Sequence, residues 1–205
     1  MNIVNLFFRG IRYSALVYVQ KVSSFFNKVH FKTCAFSKEG IEIIGPCHLY
    51  VARTAKVNVG KNFKLISSHL INPLCVHPSS INIGHDAMVE IGDNVGMSSP
   101  VIWIRKSLTI GNNVNIGGGT IILDSDAHSL NYLHRRNGKE DMANRVDKGI
   151  VIEDDVLIGM NSIILKGVRV GARSVIGAGS VVVKDIPSDC IAAGNPAKVI
   201  KIINQ

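Results

Sequence analysis

The chain has 205 residues, of which 19 are glycines and 6% are aromatic, so we expect one hydrophobic core of small aliphatic side chains between many tight turns. The formal net charge is +8, and six basic residues precede the first acidic residue, Glu39. Because the remainder shows no basic residues interleaved with aromatic ones, the sequence does not indicate a nucleic-acid-binding protein.

The first predicted element is an amphipathic helix over residues 1–31. At 100° per residue its apolar side chains, including two phenylalanine pairs, fall on one broad face, and its amides and arginines fall on the opposite face. The longest uncharged stretch, residues 13–20, is too short for a signal peptide or a transmembrane helix. Two interpretations stay open: the helix packs on protein, or it lies in the plane of an anionic membrane.

The cysteines predict the compartment. All four are scattered, without close pairing, which is typical of reduced thiols in a cytosolic protein. We therefore expect a cytoplasmic protein. Under the second interpretation of residues 1–31, it contacts the inner face of the cytoplasmic membrane peripherally.

A six-residue period follows this appendage and is clearest near the carboxyl terminus. The aliphatic residues that recur at this spacing are Ile152, Ile158, Ile164, Val170, Ile176 and Val182. Glycine often comes directly after them, and the same aliphatic-glycine pattern occurs upstream, as in Ile110-Gly111 and Ile116-Gly117. A period of six indicates one flat face of a three-sided coil, in which parallel strands stack every eighteen residues and glycine eases the corners.

On these repeats, from about residue 41 to residue 201, the chain resembles the hexapeptide-repeat acyltransferases, and in particular their sugar O-acetyltransferases. The resemblance implies an all-β fold, a left-handed parallel β-helix of hexapeptide repeats. We expect residues 1–36 to be an N-terminal helical appendage and residues 37–205 to be the acyltransferase domain, with a short C-terminal tail over residues 187–205. The resemblance also implies acetyl-CoA as acyl donor, no metal, and a homotrimer with its sites between subunits.

The stretch "TIILDSDAHSLNYLHRRNGKE" interrupts the repeat. The hexad fails after Leu123 and resumes at Ile150, and we expect residues 127–149 to protrude as a loop with an Asn-Gly turn. Because a three-sided prism has no pocket of its own, a ligand site must come from such a loop or from a groove between prisms. The sequence therefore predicts that this loop is functional.

His128 is the candidate catalytic residue in this loop. It follows the last strand before the loop, and a neutral imidazole can accept a hydroxyl proton near pH 7. Asp124 and Asp126 are expected to orient His128 or to bind the substrate, and His134 is expected to contact the acceptor. In the sugar acetyltransferases a histidine ends a similar strand, so the resemblance implies that His128 is the general base in direct acyl transfer. The alternative is an ordinary surface histidine.

The resemblance implies further site residues. Sugar-binding members of the family carry Asn and Asp on the coil that faces the histidine; the corresponding candidates here are Ser98, Ser99, Trp103 and Arg105. The candidates for the coenzyme are Gly159, Ser162, Ala178 and Ser180 along the pantetheine arm, Lys184, Lys198 and Lys201 at the phosphates, and Pro196 near the adenine. Basic side chains suit this place because the coenzyme is a polyanion.

The function expected from the resemblance is O-acetylation of a sugar hydroxyl in surface polysaccharide biosynthesis, on a capsule or lipopolysaccharide intermediate. N-acetylation of a nucleotide-linked amino sugar is the first alternative, although no G-x-G-x-x-G unit opens this chain. A γ-carbonic-anhydrase-like zinc enzyme needs three histidines, of which only His128 and His134 are evident candidates. A non-catalytic solenoid scaffold is the last alternative.

Overall fold

The computed structural model describes residues 40–203, together with residues 14, 17–18, 21–26, 29 and 36–37. The chain winds as a left-handed parallel β-helix in which three sheets form the sides of a prism, and this confirms the predicted fold. Each sheet gains one strand per coil, because each strand pairs in parallel with the strand one coil before it.

The strands of the three sheets are as follows. Sheet A contains β1 (Phe36–Ser37), β4 (Lys56–Val59), β7 (Met88–Ile91), β10 (Ser107–Ile110), β13 (Ile150–Ile152) and β16 (Arg169–Val170). Sheet B contains β2 (Glu42–Ile44), β5 (Lys64–Ile66), β8 (Gly96–Ser98), β11 (Asn115–Ile116), β14 (Leu157–Ile158), β17 (Val175–Ile176), β19 (Cys190–Gly194) and β20 (Ala197–Ile202). Sheet C contains β3 (Cys47–Val51), β6 (Ser79–Ile83), β9 (Val101–Ile104), β12 (Ile121–Leu123), β15 (Ile163–Leu165) and β18 (Val181–Val182).

The prism has three edges, which we name after the sheets that they join. Within one coil, residues 111–114 turn at the A–B edge and residues 117–120 turn at the B–C edge. The chain then leaves sheet C and enters sheet A at the C–A edge, where residues 105–106 make the turn one coil earlier. The position of a side chain is therefore given by its coil and its edge or sheet.

The aliphatic residues of the hexad fill the interior of the prism. Ile152, Ile158, Ile164, Val170, Ile176 and Val182 are all 0% exposed. Residues eighteen apart stack in register, as Ile158 does on Ile176 and Ile164 on Val182. Burying each of these side chains stabilises the fold by about 1.5–3 kcal/mol relative to leaving it in water. The core predicted from the period is thus the observed core.

Asparagines stabilise the A–B edge. Asn62, Asn94, Asn113 and Asp155 occupy equivalent places on successive coils, with φ between 56° and 60°. This left-handed conformation is disfavoured for most residues but tolerated by Asn and Asp. Their side chains also form a ladder, in which each amide donates to the next residue's oxygen at 3.0, 3.0 and 3.1 Å. The ladder adds to the backbone hydrogen bonds that join consecutive coils at the same positions, such as Asn113 N–H to Asp93 O at 2.8 Å.

The C-terminal tail closes the top of the prism. β19 continues sheet B in parallel with β17, and β20 folds back on β19 as an antiparallel partner. The tail therefore ends in a hairpin that covers the last coil. Its exposed strand, β20, carries two of the basic residues predicted to meet the coenzyme.

A second excursion, which the sequence did not predict, leaves the B–C edge between β5 and β6, over residues 67–78. It runs toward the later coils, where Asn72 Nδ2 donates to Ser98 Oγ at 3.0 Å. Farther along, the backbone oxygen of Leu74 lies against Gly118, where no side chain could be accommodated. The excursion thus covers the B–C edge of two coils and leaves the later coils open.

The predicted amphipathic helix over residues 1–31 lies largely outside the described residues. Residues 21–26 are helical, and Ser24 Oγ accepts a hydrogen bond from the backbone N–H of Gly45 at 2.8 Å. Among the described residues, no helix is both long and apolar enough to cross a bilayer. The choice between protein packing and membrane contact stays a prediction.

Candidate active site

The interruption of the repeat is an excursion from the C–A edge that begins and ends at the same point. β12 ends at Leu123 and β13 begins at Ile150, as the failed hexad predicted. Its two arms pair, because the backbone N–H of Asp126 donates to Val146 O at 3.1 Å and that of Lys148 donates to Asp124 O at 2.8 Å. The excursion is therefore held on the coil by its own base, without a long unpaired connection.

The excursion contains helical structure in place of the predicted turn. A 3₁₀-helix spans His134–Arg136, and an α-helix, α1, spans Gly138–Asn144. Asn137, which we expected in an Asn-Gly turn, is instead the N-cap of α1 and accepts from the N–H groups of Lys139 and Glu140 at 3.0 and 3.3 Å. Asn followed three residues later by Glu resembles a capping-box spacing, and this signal could have revealed the helix.

Helix α1 brings Asp141 against His128. Asp141 Oδ2 lies 2.6 Å from His128 Nδ1, and Asp141 Oδ1 accepts the backbone N–H of Ser129 at 2.7 Å. The side chain of Asp141 is 11% exposed, whereas that of His128 is 68% exposed. One buried carboxylate thus fixes both the imidazole and the backbone that carries it.

This contact determines which nitrogen of His128 is basic. The hydrogen bond from His128 lowers the pKa of Asp141 below its usual 3.8, so the carboxylate is ionised at neutral pH and can only accept. Nδ1 must then carry the hydrogen, which leaves the lone pair on Nε2. Within the described part of the chain Nε2 has no hydrogen-bond partner, and the exposed ring presents it to solvent.

The backbone before His128 is also held in an unusual conformation. Ala127 has φ of 63°, which is uncommon for a residue with a β-carbon. Its N–H donates to Ser125 Oγ at 3.0 Å, and the same hydroxyl lies 2.5 Å from Asp147 Oδ1. The base of the excursion therefore imposes the turn that directs His128 outward.

The prediction that Asp124 orients His128 is wrong. Its side chain is 0% exposed, and its carboxylate accepts the backbone N–H groups of Arg105, Lys106 and Ser107 at 2.7, 2.7 and 2.9 Å. Burial nevertheless raises the pKa of Asp124 above its usual value. This buried carboxylate closes the turn of the preceding coil and forms no hydrogen bond with His128.

Asp126 does not orient His128 either. Its Oδ1 forms an ion pair with Lys166 Nζ at 2.9 Å, on the following coil. Asp124 and Asp126 thus face the coils on opposite sides of the excursion. We expected the alternating side chains of Asp124 and Asp126 to lie together beside His128, and this is wrong. The carboxylate beside His128 is that of Asp141, thirteen residues later in the chain.

The predicted acceptor residues divide between two edges. Arg105 lies at the C–A edge, one coil before the excursion. Trp103 lies on the outer face of sheet C beside Leu123. Ser98 and Ser99 instead lie at the B–C edge, and Ser99 is 0% exposed. Within one chain, sheet C therefore separates these two serines from the His128 loop, and their place opposite a histidine stays a prediction.

His134 is part of the excursion's internal structure. Its Nδ1 lies 3.1 Å from Ser129 Oγ, and its Nε2 lies 3.4 Å from Asn131 Nδ2. Arg135 adds two hydrogen bonds, from Nη1 to the backbone oxygens of Ser129 and Leu130 at 2.7 and 2.9 Å. These contacts stabilise the segment after His128, and contact of His134 with an acceptor stays a prediction.

The residues predicted along the pantetheine arm share the B–C edge. Gly159 and Ala178 are adjacent there on consecutive coils, and a β-carbon on Gly159 would collide with the backbone of Ala178. Ser162 and Ser180 are fully buried, and their hydroxyls donate to carbonyls of the edge, Gly159 O at 2.8 Å and Gly177 O at 2.5 Å. The two serine side chains are thus structural, and neither hydroxyl is free for a ligand.

The remaining coenzyme candidates lie at the top of the prism. Lys184 follows β18 at the C–A edge, whereas Lys198 and Lys201 lie on β20 and Pro196 lies in the hairpin turn before it. All three lysines are exposed. Among residues 40–203 and the few described before them, no three His, Cys, Asp or Glu side chains are close enough to share a metal ion.

One chain does not bring His128 and the pantetheine candidates together. His128 rises from the C–A edge, whereas Gly159 and Ala178 lie at the B–C edge, on the other side of sheet C. The strand between these edges, from Thr120 to Asp124, spans about 13 Å. A site that uses both groups would need the edges of two different chains.

Comparisons with known proteins agree with this architecture. Residues 149–184 match the family described as bacterial transferase hexapeptide (six repeats). A 2,3,4,5-tetrahydropyridine-2,6-dicarboxylate N-acetyltransferase of Clostridium perfringens is 56% identical over 55 residues, which are 27% of this chain and 23% of that protein. The chain thus matches less than a quarter of that relative's length.

Two solved structures are similar over most of the chain. The polySia specific acetyltransferase NeuO is 30% identical, with a TM-score of 0.59, over 82% of this chain and 69% of its own. A hexapeptide-repeat acetyltransferase from Vibrio cholerae is 26% identical, with a TM-score of 0.57, over 89% and 82%. A second structure of the Vibrio protein, complexed with acetyl coenzyme A, is 27% identical over 85% and 74%, with a TM-score of 0.50.

Proposed function

Because this chain belongs to the hexapeptide-repeat acyltransferase family, we propose that it transfers an acetyl group from coenzyme A to a hydroxyl group of a sugar. The observation that carries this proposal is the pair formed by His128 and Asp141, at 2.6 Å, with Nε2 exposed. A histidine held in this tautomer is suited to remove a proton from a hydroxyl group.

The reaction follows from the position of the free nitrogen. Nε2 of His128 removes the proton of the acceptor hydroxyl, whose oxygen attacks the thioester carbonyl and forms a tetrahedral oxyanion. Collapse of this intermediate breaks the carbon–sulfur bond, and the leaving thiolate takes the proton back from Nε2. The imidazolium that exists between these steps is stabilised by the carboxylate of Asp141.

Acetyl-CoA is proposed as the donor because the Vibrio relative has been solved in complex with it. In this chain, Gly159 and Ala178 carry no side chain larger than a methyl group, which would let the pantetheine arm approach the backbone of the B–C edge. Lys198 and Lys201 would neutralise the phosphates. Which of these residues touch the coenzyme is part of the proposal.

A sugar acceptor is proposed because NeuO, which is named for its action on polySia, shares most of this chain's length. An amine acceptor is the alternative, and the Clostridium relative is named as an N-acetyltransferase. The two cases differ chemically, because an amine must be neutral to attack and depends less on a base than a hydroxyl group does.

The proposal predicts that the full-length protein releases thiol from acetyl-CoA only when a hydroxyl-bearing glycan is present. The measurement is colorimetric thiol detection with matched acceptors, a sugar and the same sugar with an amine in place of one hydroxyl group. Release that follows the amine and not the hydroxyl would replace O-transfer by N-transfer. The absence of coenzyme A binding in calorimetry would contradict the whole proposal.

The outer face of sheet C supports a shared site. Its outward-pointing residues on four consecutive coils are all apolar: Val101, Trp103, Ile121, Leu123, Ile163, Leu165, Val181 and Val183. Sheet A, by contrast, presents Lys56, Glu90 and Arg169 outward. We propose that sheet C packs against other copies of the chain in a homotrimer, which would set the His128 loop of one chain beside the B–C edge of the next.

We predict that Ile163→Glu dissociates the trimer, because it would bury three unpaired carboxylates in an apolar interface. The association constant should fall by about two orders of magnitude or more. Val175→Glu is the matched control, since Val175 is an outward-facing, half-buried aliphatic residue of sheet B. Light scattering and turnover are the measurements. A wild-type monomer, or equal effects of the two substitutions, would contradict the proposal.

A further inference from the structure

Basic side chains follow the C–A edge toward the His128 loop. Arg53 lies at this edge after β3, Arg105 and Lys106 lie there after β9, and Lys148 ends the excursion one coil later. Arg53, Lys106 and Lys148 are exposed and Arg105 is half-buried. We call these four residues the C–A ridge. With coils about 4.8 Å apart, the ridge extends for about 14 Å from Arg53 to Lys148.

Two glycines let the ridge side chains lie along the edge. Gly84 lies on the coil before Arg105. A β-carbon on Gly84 would lie 3.4 Å from Arg105 Nη1 and 3.5 Å from its Cδ. On the following coil, a β-carbon on Gly167 would lie 3.2 Å from Lys148 Cδ. The aliphatic parts of Arg105 and Lys148 therefore rest on neighbouring coils along the edge.

The ridge side chains form no ion pairs with the part of the chain that the structure describes. Within the described residues none of the four side chains takes part in an ion pair, whereas nearby Lys166 and Arg145 are paired with Asp126 and Asp147. Of the other acids of the excursion, Asp124 binds three backbone N–H groups and Asp141 binds His128, whereas exposed Glu140 forms no ion pair with any described residue. Exposed Asp86 is the one acid among the described residues at the edge between Arg53 and Arg105.

The ridge reaches the base of the proposed catalytic loop. The N–H groups of Arg105 and Lys106 hold the carboxylate of Asp124, and the N–H of Lys148 holds its backbone oxygen. His128 lies four residues after Asp124 along the chain. A molecule bound along the ridge would therefore reach the base of the loop that carries His128.

We propose that the C–A ridge binds the negatively charged groups of an extended acidic glycan, and that this glycan is the acceptor. The inference rests on the proposed function and adds the class of acceptor. A row one side chain wide along a convex edge fits a linear polyanion, whereas a bilayer would require a broad flat patch. Attraction along the row would also concentrate an anionic chain near His128, an effect that salt weakens.

The test is calorimetric binding of an oligogalacturonate long enough to cover the ridge, compared with a neutral maltooligosaccharide of equal length. We expect the full-length protein to bind the acidic chain more tightly and to lose this preference as salt is added. Arg53→Gln combined with Lys106→Gln should weaken this binding about three- to tenfold. The matched control, Lys61→Gln with Lys64→Gln, removes the same charge from the A–B edge and sheet B, and should leave binding unchanged.

The outcomes separate this inference from the proposed function. Equal weakening by both double variants, or none by the ridge variant, would overturn the inference. It would also be overturned if the ridge variant weakened binding to phosphatidylserine vesicles more than binding to the oligosaccharide. Ridge-dependent binding without any thiol release would instead contradict the proposed function and leave the ridge as a glycan site. An increase in KM for the acidic acceptor in the ridge variant alone, with kcat retained, would support both.

Discussion

Replacing His128 by alanine should lower turnover by about two to four orders of magnitude, which is the usual contribution of a general base. The side chain is 68% exposed and lies outside the core, so the substitution removes the base without leaving a cavity. Asp141 keeps its bond to the N–H of Ser129, which holds the excursion in place. The measurement is kcat from thiol release, together with the melting temperature and calorimetric binding of coenzyme A, both of which should stay near the wild-type values.

His134→Ala is the matched control for this prediction. His134 lies in the same excursion and contacts Ser129 Oγ and Asn131, so its removal also costs loop contacts. Because these contacts do not involve the free nitrogen of His128, we expect a loss of less than about tenfold. If the two alanine variants are equally impaired, the effect comes from loop structure. If His128→Ala turns over normally, His128 has no role in the chemistry.

The prism was predictable because one rule repeats along the chain. Each inward position requires a small aliphatic residue, and each edge favours glycine or asparagine. Because the pattern repeats in every coil, one atypical residue does not change the predicted fold. Ile152 to Val182 satisfy the rule without exception, and all of these key residues are fully buried. The interruption after Leu123 was predictable for the same reason, since a strict repeat makes its own failure visible.

The edge that carries Ser98 and Ser99 could not be predicted, because the repeat loses its phase there. Met97 and Val101 pair with Ile116 and Ile121 on the next coil, so this coil has one residue fewer at its B–C edge. The excursion over residues 67–78 shifts the count again. Distance along the sequence therefore no longer indicates the edge on which a residue lies.

Asp141 was missed because a short helix brings it to the site. Sequence proximity favoured Asp124 and Asp126, whereas the orienting carboxylate comes from α1, thirteen residues after His128. The contacts of the other two aspartates explain why neither of them orients His128. Asp124 binds the turn of one neighbouring coil and Asp126 binds Lys166 of the other, so the carboxylate at His128 Nδ1 comes from α1.

Replacing Asp141 by asparagine should lower kcat almost as far as His128→Ala does, by about two to four orders of magnitude. The N–H of Ser129 needs an acceptor, so the amide oxygen of the introduced side chain would stay on Ser129 and its NH₂ group would face His128 Nδ1. A donor there forces Nδ1 to become the acceptor, which moves the ring hydrogen to Nε2. The nitrogen that should remove the acceptor's proton would then already carry one.

Comparing the asparagine and alanine variants of Asp141 separates an effect on the His128 tautomer from an effect on the stability of the loop. Asp141→Ala removes both hydrogen bonds and loosens the excursion more, but water can accept from Nδ1 and leave Nε2 basic. We therefore expect Asp141→Ala to retain higher kcat than Asp141→Asn, although its melting temperature should be the lower of the two. Asp147→Asn is the further control, since it weakens the base of the excursion at Ser125 without touching His128.

The pH dependence of stability tests the contact between Asp141 and His128 independently of turnover. Because the folded-state pKa of Asp141 lies below its usual 3.8, the contact with His128 stabilises the loop at and above that pH and is lost as pH falls through the lowered pKa. Acid unfolding monitored by circular dichroism should therefore begin at higher pH in Asp141→Asn than in the wild type. If Asp141→Asn and Asp141→Ala have the same kcat, Asp141 supports the loop without setting the tautomer of His128, and the proposed role of the pair in catalysis is lost.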